Sequence, residues 1–385
     1  MPDKNMSAVT EARIGPGKPY PFSDKLAATA FICVMMGGAW QIILASRQIA
    51  SREVPHAWTD FRQGKTANVL EKQLDQKLPA RATLIAAANS LRYLLLRSGG
   101  EQVRVGRDGW FFFTDELRFH ANANRHLAAR ADLLGAAASA LERDGVKLVI
   151  ALVPDKARVY PEHLAGSRIP DYNRTRYQDA LSALQQRNVK VVDLLTPLTL
   201  AATNGEIYYR SDTHWNQAGA QIAAETIAIE VRRLNADLGN TTFANEKNAV
   251  ETERPGDLIR LMGLENVPNF LRPPPDHETL IITRQTSADS GGGLFGDASV
   301  PVVLTGTSYS LRGNFHGFLQ KALAAKVLNA AKDGGGFLHA VTQYLKDEAF
   351  RTSKPKVLIW EVPERFLGME LEGEDKWLQT VGLRP

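Results

Sequence analysis

The hydrophobic positions of the chain form one long uncharged run near its start and a series of short runs later. Residues 26–46 contain no charged side chain over 21 positions. A membrane-spanning helix needs about 20 apolar residues, whereas the apolar core of a cleaved signal peptide has about 7 to 15. The long run therefore predicts an uncleaved transmembrane helix, with a buried core helix as the alternative.

Chain length indicates how this helix is oriented. The three nearest basic residues on one side of the run are balanced by the three nearest on the other, so the distribution of positive charge does not decide the orientation. They are Arg13, Lys18, Lys25, Arg47, Arg52 and Arg62. Because 25 residues lie before the run and 339 after it, we expect a short cytoplasmic tail at residues 1–25, a single-pass anchor at residues 26–46 and an exported domain after the anchor.

After the anchor, short apolar runs alternate with amphipathic helical patterns, which predicts an α/β fold. The predicted strands are residues 147–154, residues 189–194, a strand near Leu280, residues 300–306 and residues 356–363. The predicted helices are residues 174–188, 216–235, 315–331 and 337–350. This order favours a mainly parallel sheet flanked by helices, and the last strand is apolar enough to be central.

Two regions fall outside this alternation. Residues 47–105 are rich in Ala and Leu, which favours a helical stalk or cap ahead of the α/β domain at residues 106–385. Residues 236–300 contain the sequences PGD, RPPPD and SADSGGG, which favour irregular surface insertions.

Composition narrows the possible functions. With 44% hydrophobic and 23% charged residues, the 385-residue chain has the composition of an ordinary globular protein. One cysteine is too few for a disulfide, a cysteine zinc site or an iron–sulfur cluster. The net charge of +4 is too small and dispersed to indicate nucleic-acid binding. The sequence has no Walker A or HExxH pattern, and we expect neither a metal nor a bound cofactor.

The first segment with candidate chemistry is YYRSDTHWNQAG, residues 208–219. Asp212 and His214 are two residues apart, so in an extended segment their side chains point to the same side and the carboxylate can hold the imidazole. Asn216 favours the start of a helix directly after them. An Asp-oriented His is the base half of a catalytic triad. The alternative is a surface Asp and His beside a helix cap.

The second segment is LTGTSYSLRGNFHGF, residues 304–318, where an apolar strand ends at Gly306 and Ser308 lies on the turn into a helix. Such a turn exposes a nucleophilic hydroxyl and directs backbone N–H groups at a developing oxyanion. The segment lacks the GxSxG spacing, because Ser310 occupies the position of the second glycine. The alternative role for Ser308 is a helix N-cap.

Four motifs together resemble those of the AlgJ and AlgX type of polysaccharide O-acetyltransferases, which belong to the SGNH-hydrolase-like group. They are DTHWN (212–216), GTSYS (306–310), VPDKARVYPEHL (153–164) and WEVPERFL (360–367). The resemblance implies an SGNH-hydrolase-like α/β fold and a periplasmic enzyme held at the bacterial inner membrane. The predicted anchor, and a chain end about 20 residues after WEVPERFL that leaves no room for a carbohydrate-binding module, indicate the AlgJ branch.

The resemblance also implies a mechanism, in which Ser308 is the nucleophile, His214 the general base and Asp212 the residue that orients the base. An acetyl-serine forms and a hydroxyl of an exported polysaccharide such as alginate resolves it. The family further implies a membrane-bound acyltransferase partner that passes acetyl groups across the membrane.

Six further residues are candidates for oxyanion or substrate contacts: Asn314, Tyr209, Trp215, Lys156, Arg158 and Tyr160. The asparagine lies near the same helix start as the nucleophile, where its amide could meet the oxyanion. Three of the residues follow a strand end, where ligands bind in α/β sheets, and could contact an acidic sugar. The other two aromatic rings could stack on sugars. An ordinary turn asparagine and solvated loop charges are the alternatives.

Three functions remain open from the sequence. The first is an O-acetyltransferase. The second is a carbohydrate acetylesterase with the same triad, because water can resolve an acyl-enzyme as a sugar does. The third is a non-catalytic polysaccharide-binding component of an export complex.

Overall fold

The computed structural model describes residues 22–47, 58–77, 81–166, 168–286 and 300–383. The chain divides into two compact units between Ala87 and Ala88, whereas the sequence pattern predicts a boundary after residue 105. Of the predicted tail at residues 1–25, residues 1–21 lie outside the described part of the chain.

The first unit is helical. It contains α1 (Phe22–Ser46), α2 (Trp58–Arg62), α3 (Lys65–Lys77) and the first residues of α4 (Arg81–Leu96). Large apolar side chains of α1 are exposed, including Phe31, Met36 and Trp40. No helix in the described ranges combines the length and the apolar character that crossing a membrane requires.

The second unit contains nine strands among the described residues. They are β1 (Val103–Val105), β2 (Phe111–Phe113), β3 (Lys147–Val153), β4 (Lys190–Asp193), β5 (Phe243–Arg254), β6 (Asp276–Gln285), β7 (Val302–Thr305), β8 (Val327–Asn329) and β9 (Val357–Pro363).

The helices of this unit after α4 are α5 (Ala123–Arg143), α6 (Lys156–Val159), α7 (Asp171–Arg174), α8 (Arg176–Gln185), α9 (Leu195–Ala202), α10 (Gln217–Arg232), α11 (Asp257–Leu261), α12 (Phe315–Leu323), α13 (His339–Lys346), α14 (Glu348–Thr352), α15 (Glu364–Gly368) and α16 (Trp377–Thr380). Short 3₁₀ turns join several of them.

Five strands form a parallel sheet in the order β4-β3-β9-β7-β8. All seven residues of β9 are buried, which fits a strand covered on both faces. The strand predicted from residues 356–363 is therefore central, as its apolar sequence indicated. The prediction of an α/β fold with a parallel sheet flanked by helices is confirmed.

Alternate residues of the central strands build two cores. Val149 and Ala151 of β3 pack in a cluster with side chains of α10 and α12. Leu148 and Ile150 point the other way, into a cluster with side chains of α5, α8 and α13. The two helical layers thus fix the sheet from both sides, and the strand ends are held rigidly.

Two predicted elements differ from the structure. The strand near Leu280 is β6, which pairs antiparallel with β5 in a separate two-stranded ribbon within the region predicted to be irregular. None of the residues of either strand is fully buried, and Ile281 of β6 packs partly buried against the core. The helix predicted over residues 315–331 ends at Leu323, because Ala324 adopts a left-handed conformation, and β8 follows it.

The parallel alignment brings three strand ends to one edge of the sheet. β7 leads into Thr307 and Ser308, β3 into Asp155 and Lys156, and β9 directly into α15. Ligands of open α/β sheets bind outside the carboxyl ends of the strands, so this edge is the expected place of the site.

Gly306 makes the turn after β7 possible. Its φ angle is +150°, and a Cβ there would lie 2.6 Å from Oε2 of Glu361 and 2.8 Å from the backbone oxygen of the same residue. A side chain would therefore push β7 away from its neighbour β9 at the point where the turn begins.

We expect Gly306→Ala to lower the free energy of unfolding by about 1–3 kcal/mol, the usual cost of overpacking a buried position. Urea-induced unfolding measures this loss. Gly205→Ala is the matched control, because a Cβ at Gly205 meets nothing within 4 Å. Equal stability of the two variants would contradict the close approach at Gly306.

Candidate active site

Ser308 lies on a turn that is fixed by a buried carboxylate. Thr307 is the N-cap of the 3₁₀ turn Ser308–Leu311, with its hydroxyl accepting from the Tyr309 amide. Glu361 on β9 accepts hydrogen bonds from the Thr307 amide at 2.7 Å and from the Ser310 hydroxyl at 3.1 Å. Burial raises the pKa of Glu361, and these hydrogen bonds oppose the rise. The capping role is thus filled by the threonine, and the half-buried Ser308 side chain points out of the turn.

Three side chains form one hydrogen-bonded series. His214 Nε2 lies 2.7 Å from Ser308 Oγ, and His214 Nδ1 lies 2.5 Å from Asp212 Oδ1. Both His214 and Asp212 are buried. This is the geometry of a nucleophile, a base and an orienting carboxylate, and it can transfer a proton from the serine to the imidazole.

Asp212 is kept ionised by its hydrogen bonds. Burial alone would raise the pKa of Asp212, but the His214 ring and the backbone amides of His214 and Asp257 hold it well below its usual range. The distances from these two amides to the Asp212 carboxylate are 3.0 Å and 3.1 Å. An ionised carboxylate can stabilise the imidazolium that forms during proton transfer.

The loop that carries Asp212 and His214 is closed by backbone hydrogen bonds. The amide of Tyr209 donates to the carbonyl of His214, and the amide of Asn216 donates to that of Ile207. The Asn216 side chain caps α10 by accepting from two amides of its first turn. The segment is therefore an extended loop that leads into a capped helix, as the sequence predicts.

Asp257 is a second carboxylate at the site that the sequence analysis did not select. It accepts from the amide and the hydroxyl of Thr213 at 2.7 Å and 2.6 Å, and its Oδ2 lies 3.6 Å from His214 Nδ1. Burial, and then the charge of Asp212, raise the pKa of Asp257. The sequence signal that could have pointed to Asp257 was the PGD motif. A Cβ at Gly256 would lie 1.9 Å from the Ser211 carbonyl oxygen, so the glycine lets this segment approach the loop of Asp212, and Asp257 follows directly.

Asp212, His214 and Asp257 place three potential metal-ligating atoms within 4.8 Å of one another. Each of these residues already exchanges hydrogen bonds with its neighbours through that side chain. The hydrogen bonds account for the cluster, and the expectation that no metal is bound stays a prediction.

A cavity of about 980 Å³ lies over Ser308 and His214. Five arginines contribute to its walls, and four of them have carboxylate partners: Arg254 with Glu278, Arg272 with Glu253, Arg312 with Asp333 and Arg365 with Asp155. The fifth, Arg260 on α11, is exposed and has no ion-pair partner among the described residues. Among the described residues of this wall, Arg260 is therefore the arginine whose charge is not balanced by a carboxylate.

The two predicted stacking rings, Trp215 and Tyr209, and the ring of Tyr160, which was predicted to contact an acidic sugar, are all buried. Trp215 is fully buried against Tyr309 and Phe315. The hydroxyl of Tyr209 donates to Glu278 at 2.6 Å. Tyr160 accepts at its hydroxyl from the Ile207 amide at 2.8 Å and is likewise buried. In these positions the rings support the loop of the triad and have no free face for a sugar.

The predicted polar contacts are also engaged within the protein. Lys156 is fully buried, and Arg158 forms an ion pair with Glu364. The side-chain amide of Asn314 donates to the Thr283 hydroxyl at 2.9 Å. These residues after a strand end were expected to face a ligand, but Lys156 donates to the carbonyls of Arg210 and Asp212, and Arg158 pairs with Glu364. The structure thus brings Ser308, His214 and Asp212 together and leaves the other six candidates outside the cavity wall.

Comparisons with known proteins identify the family of the chain. A family model described as "SGNH hydrolase-like domain, acetyltransferase AlgX" matches residues 103–364. The chain is 35% identical over 322 residues to a probable alginate O-acetylase AlgJ of Pseudomonas aeruginosa, covering 81% of this chain and 82% of the relative. It is 32% identical over 364 residues to the AlgJ of Pseudomonas syringae pv. tomato, covering 91% and 92%.

A solved structure supports the same assignment. The O-acetyltransferase domain of Pseudomonas putida AlgJ superimposes with a TM-score of 0.65 at 32% identity, covering 74% of this chain and 100% of that chain. The resemblance inferred from the four motifs is therefore confirmed. The chain belongs to the family of SGNH hydrolase-like acetyltransferase domains represented by AlgX.

Proposed function

We propose that this protein is an alginate O-acetyltransferase that works through an acetyl-serine on Ser308. The observation that carries the proposal is the series of short hydrogen bonds from Ser308 Oγ to His214 Nε2, at 2.7 Å, and from His214 Nδ1 to Asp212 Oδ1, at 2.5 Å. Relatives named alginate O-acetylase and the AlgJ O-acetyltransferase domain support the reaction class and the acceptor.

The reaction has two halves that use the same groups. In the first, His214 Nε2 takes the proton of Ser308 as Oγ attacks the carbonyl carbon of an acetyl donor, and the departing group receives that proton. In the second, His214 takes the proton of a sugar hydroxyl as the sugar oxygen attacks the acetyl-serine. Ser308 leaves as the alkoxide and recovers the proton from His214.

The negative charge of each tetrahedral intermediate needs hydrogen-bond donors. Because the side-chain amide of Asn314 already donates to Thr283, we assign this role to the Ser308 backbone N–H at the start of its turn. The ionised Asp212 stabilises the imidazolium in both halves.

Alginate is a polymer of uronic acids, so an acceptor chain presents carboxylates beside its hydroxyls. A guanidinium binds a carboxylate through two parallel hydrogen bonds. Arg260 is the exposed arginine of the cavity wall that lacks an ion-pair partner among the described residues, and we propose that it binds a uronate of the acceptor.

The membrane attachment is a further part of the proposal. Residues 26–46 would form a single-pass anchor in the bacterial inner membrane, with the catalytic domain in the periplasm. The support is the uncharged run of 21 residues together with the exposed apolar side chains of α1. A periplasmic domain has no access to cytosolic acetyl donors, so a membrane-bound acyltransferase partner would supply the acetyl group.

Ser308→Ala should abolish acetyl-enzyme formation while the chain stays folded, since only a half-buried hydroxyl is lost. Incubation with an activated acetyl ester should add the mass of one acetyl group to the Ser308 peptide of the unchanged protein. Ser139→Ala, on the distant α5, serves as the control and should be labelled normally. Label elsewhere in the Ser308→Ala variant would refute this nucleophile.

Acetate found on alginate indicates a transferase, and free acetate alone indicates an esterase.

Asp212→Asn should reduce turnover by about ten-thousandfold, because an amide holds the imidazole in the wrong tautomer. His214→Ala should reduce it further, since the proton then has no acceptor. Asp257→Asn is the matched control and should lose much less, because its oxygen lies 3.6 Å from the ring instead of 2.5 Å. Steady-state kinetics on an activated ester measures all three. Similar losses for the two aspartate variants would show that Asp212 has no special role.

The full chain should sediment with membranes, and a chain of residues 47–385 should remain in the soluble fraction. Alkaline phosphatase fused after Pro385 should be active in intact cells, since that enzyme folds only outside the cytoplasm. A soluble full-length chain, or an inactive but stable fusion, would reverse the proposed location.

A further inference from the structure

Lys156 is a fully buried cation behind the loop that carries Asp212. It follows β3 at the start of α6, and its side chain has no exposed surface. Its Nζ donates to the carbonyl oxygens of Arg210 and Asp212 at 2.9 Å and 2.8 Å. One ammonium group therefore joins two carbonyls that flank a single residue, Ser211.

Burying an ammonium group is costly, and the surroundings of Lys156 offset only part of that cost. Burial lowers the pKa of Lys156 to about 8, against the opposing charges of Glu116, Asp212, Asp276 and Asp257. The desolvation penalty of a buried ion amounts to several kcal/mol in real proteins.

Two aromatic rings complete the surroundings of the ammonium. Nζ lies 5.1 Å from the centre of the Trp110 ring and 5.5 Å from that of Phe112, distances at which a ring face attracts a cation. Such a site would accept an unbranched apolar side chain of the same length. An apolar replacement would also leave the carbonyls of Arg210 and Asp212 without this donor, so we expect some loss of stability beside any effect on the rate.

The same loop is held from its other side by Asp276. Its carboxylate accepts from the amides of Arg210 and Ser211, both at 2.9 Å. Lys156 thus binds the carbonyls of this short turn while Asp276 binds its amides. The backbone from Arg210 to Asp212 is therefore hydrogen-bonded by a buried ammonium through its carbonyls and by a carboxylate through its amides.

We propose that Lys156 is a positioning residue of the acetyl transfer: its two hydrogen bonds fix the backbone of Arg210 and Asp212 and thereby keep Asp212 Oδ1 against His214 Nδ1. This inference rests on the proposed function, because it assigns Lys156 an effect on catalysis that acts entirely through Asp212. Its expected signature is a loss of rate that depends on the presence of the Asp212 carboxylate.

The test is a double-mutant cycle on the rate of Ser308 acetylation, measured with an activated acetyl ester and the full chain. Lys156→Met should slow acetylation by about 100-fold at unchanged KM, the scale of loss expected when a reacting group is misplaced by about 1 Å. In the Asp212→Asn background the same substitution should cost less than about twofold, since no carboxylate remains to be positioned.

Tyr177→Phe is the matched control. Tyr177 is as buried as Lys156 and hydrogen-bonds near the ends of β3 and β4, but it does not line the cavity and does not contact the loop of Asp212. It should lower the melting temperature without a specific loss of acetylation rate in either background. An equal loss for Lys156→Met in both backgrounds, or a wild-type rate in the folded Lys156→Met protein, would overturn the proposal.

A second variant and a second measurement keep the inference testable if Lys156→Met does not fold. Lys156→Gln retains a donor and should show the same dependence on Asp212 with a smaller loss. The proton NMR signal of His214 Nδ1–H, assigned by its absence in Asp212→Asn, should weaken or vanish in the Lys156 variants and persist in Tyr177→Phe. An unchanged signal would refute the positioning role. Absence of any Ser308 label in the unchanged protein would instead refute the proposed function, and the NMR result would still decide about Lys156.

Discussion

The hydrogen bond between His214 and Ser308 joins two segments that lie 94 residues apart in the chain. The other contacts of the site keep these two segments within hydrogen-bonding distance. Ser308 is held through β7, which lies against the central strand β9. His214 is held by a loop that closes on itself and leads into α10. Because α10 packs on the same sheet face as α12, the helix after the nucleophile, one core fixes both segments.

Buried charge is the second requirement of this arrangement. Glu361 holds the turn of Ser308 and Lys156 holds the loop of Asp212, and both side chains are buried. In a medium of low dielectric such hydrogen bonds are strong and an unpaired group is costly, so a change to one partner is felt by the others. The carboxyl edge of the sheet is therefore a layer of buried polar groups whose hydrogen bonds hold the segments of the triad, and the cavity lies above this layer.

The sequence predicted the elements with strong periodicity and the residues with distinctive spacing. The central strand and the parallel sheet follow from apolar runs. A two-residue spacing and a strand-turn-helix pattern marked Asp212, His214 and Ser308 as candidates, and the family resemblance implied that the three act together. The strand near Leu280 was predicted, but its partner β5 was missed because most residues of β5 are polar, and Asp257 was missed because its partners are distant in sequence. Burial of Lys156 could not be predicted, since a lysine after a strand end is ordinarily solvated and only tertiary packing encloses this one.

The aromatic and basic residues near the motifs thus support the fold. Substrate recognition therefore involves other segments of the chain. The cavity wall is built in large part by residues 253–272 and 333–336, which connect the elements of the sheet and helices. Connecting segments can vary while a scaffold keeps its geometry. The sheet edge would then supply the acyl-transfer chemistry, and these segments, with Arg260 among them, would determine which polysaccharide the chemistry acts on.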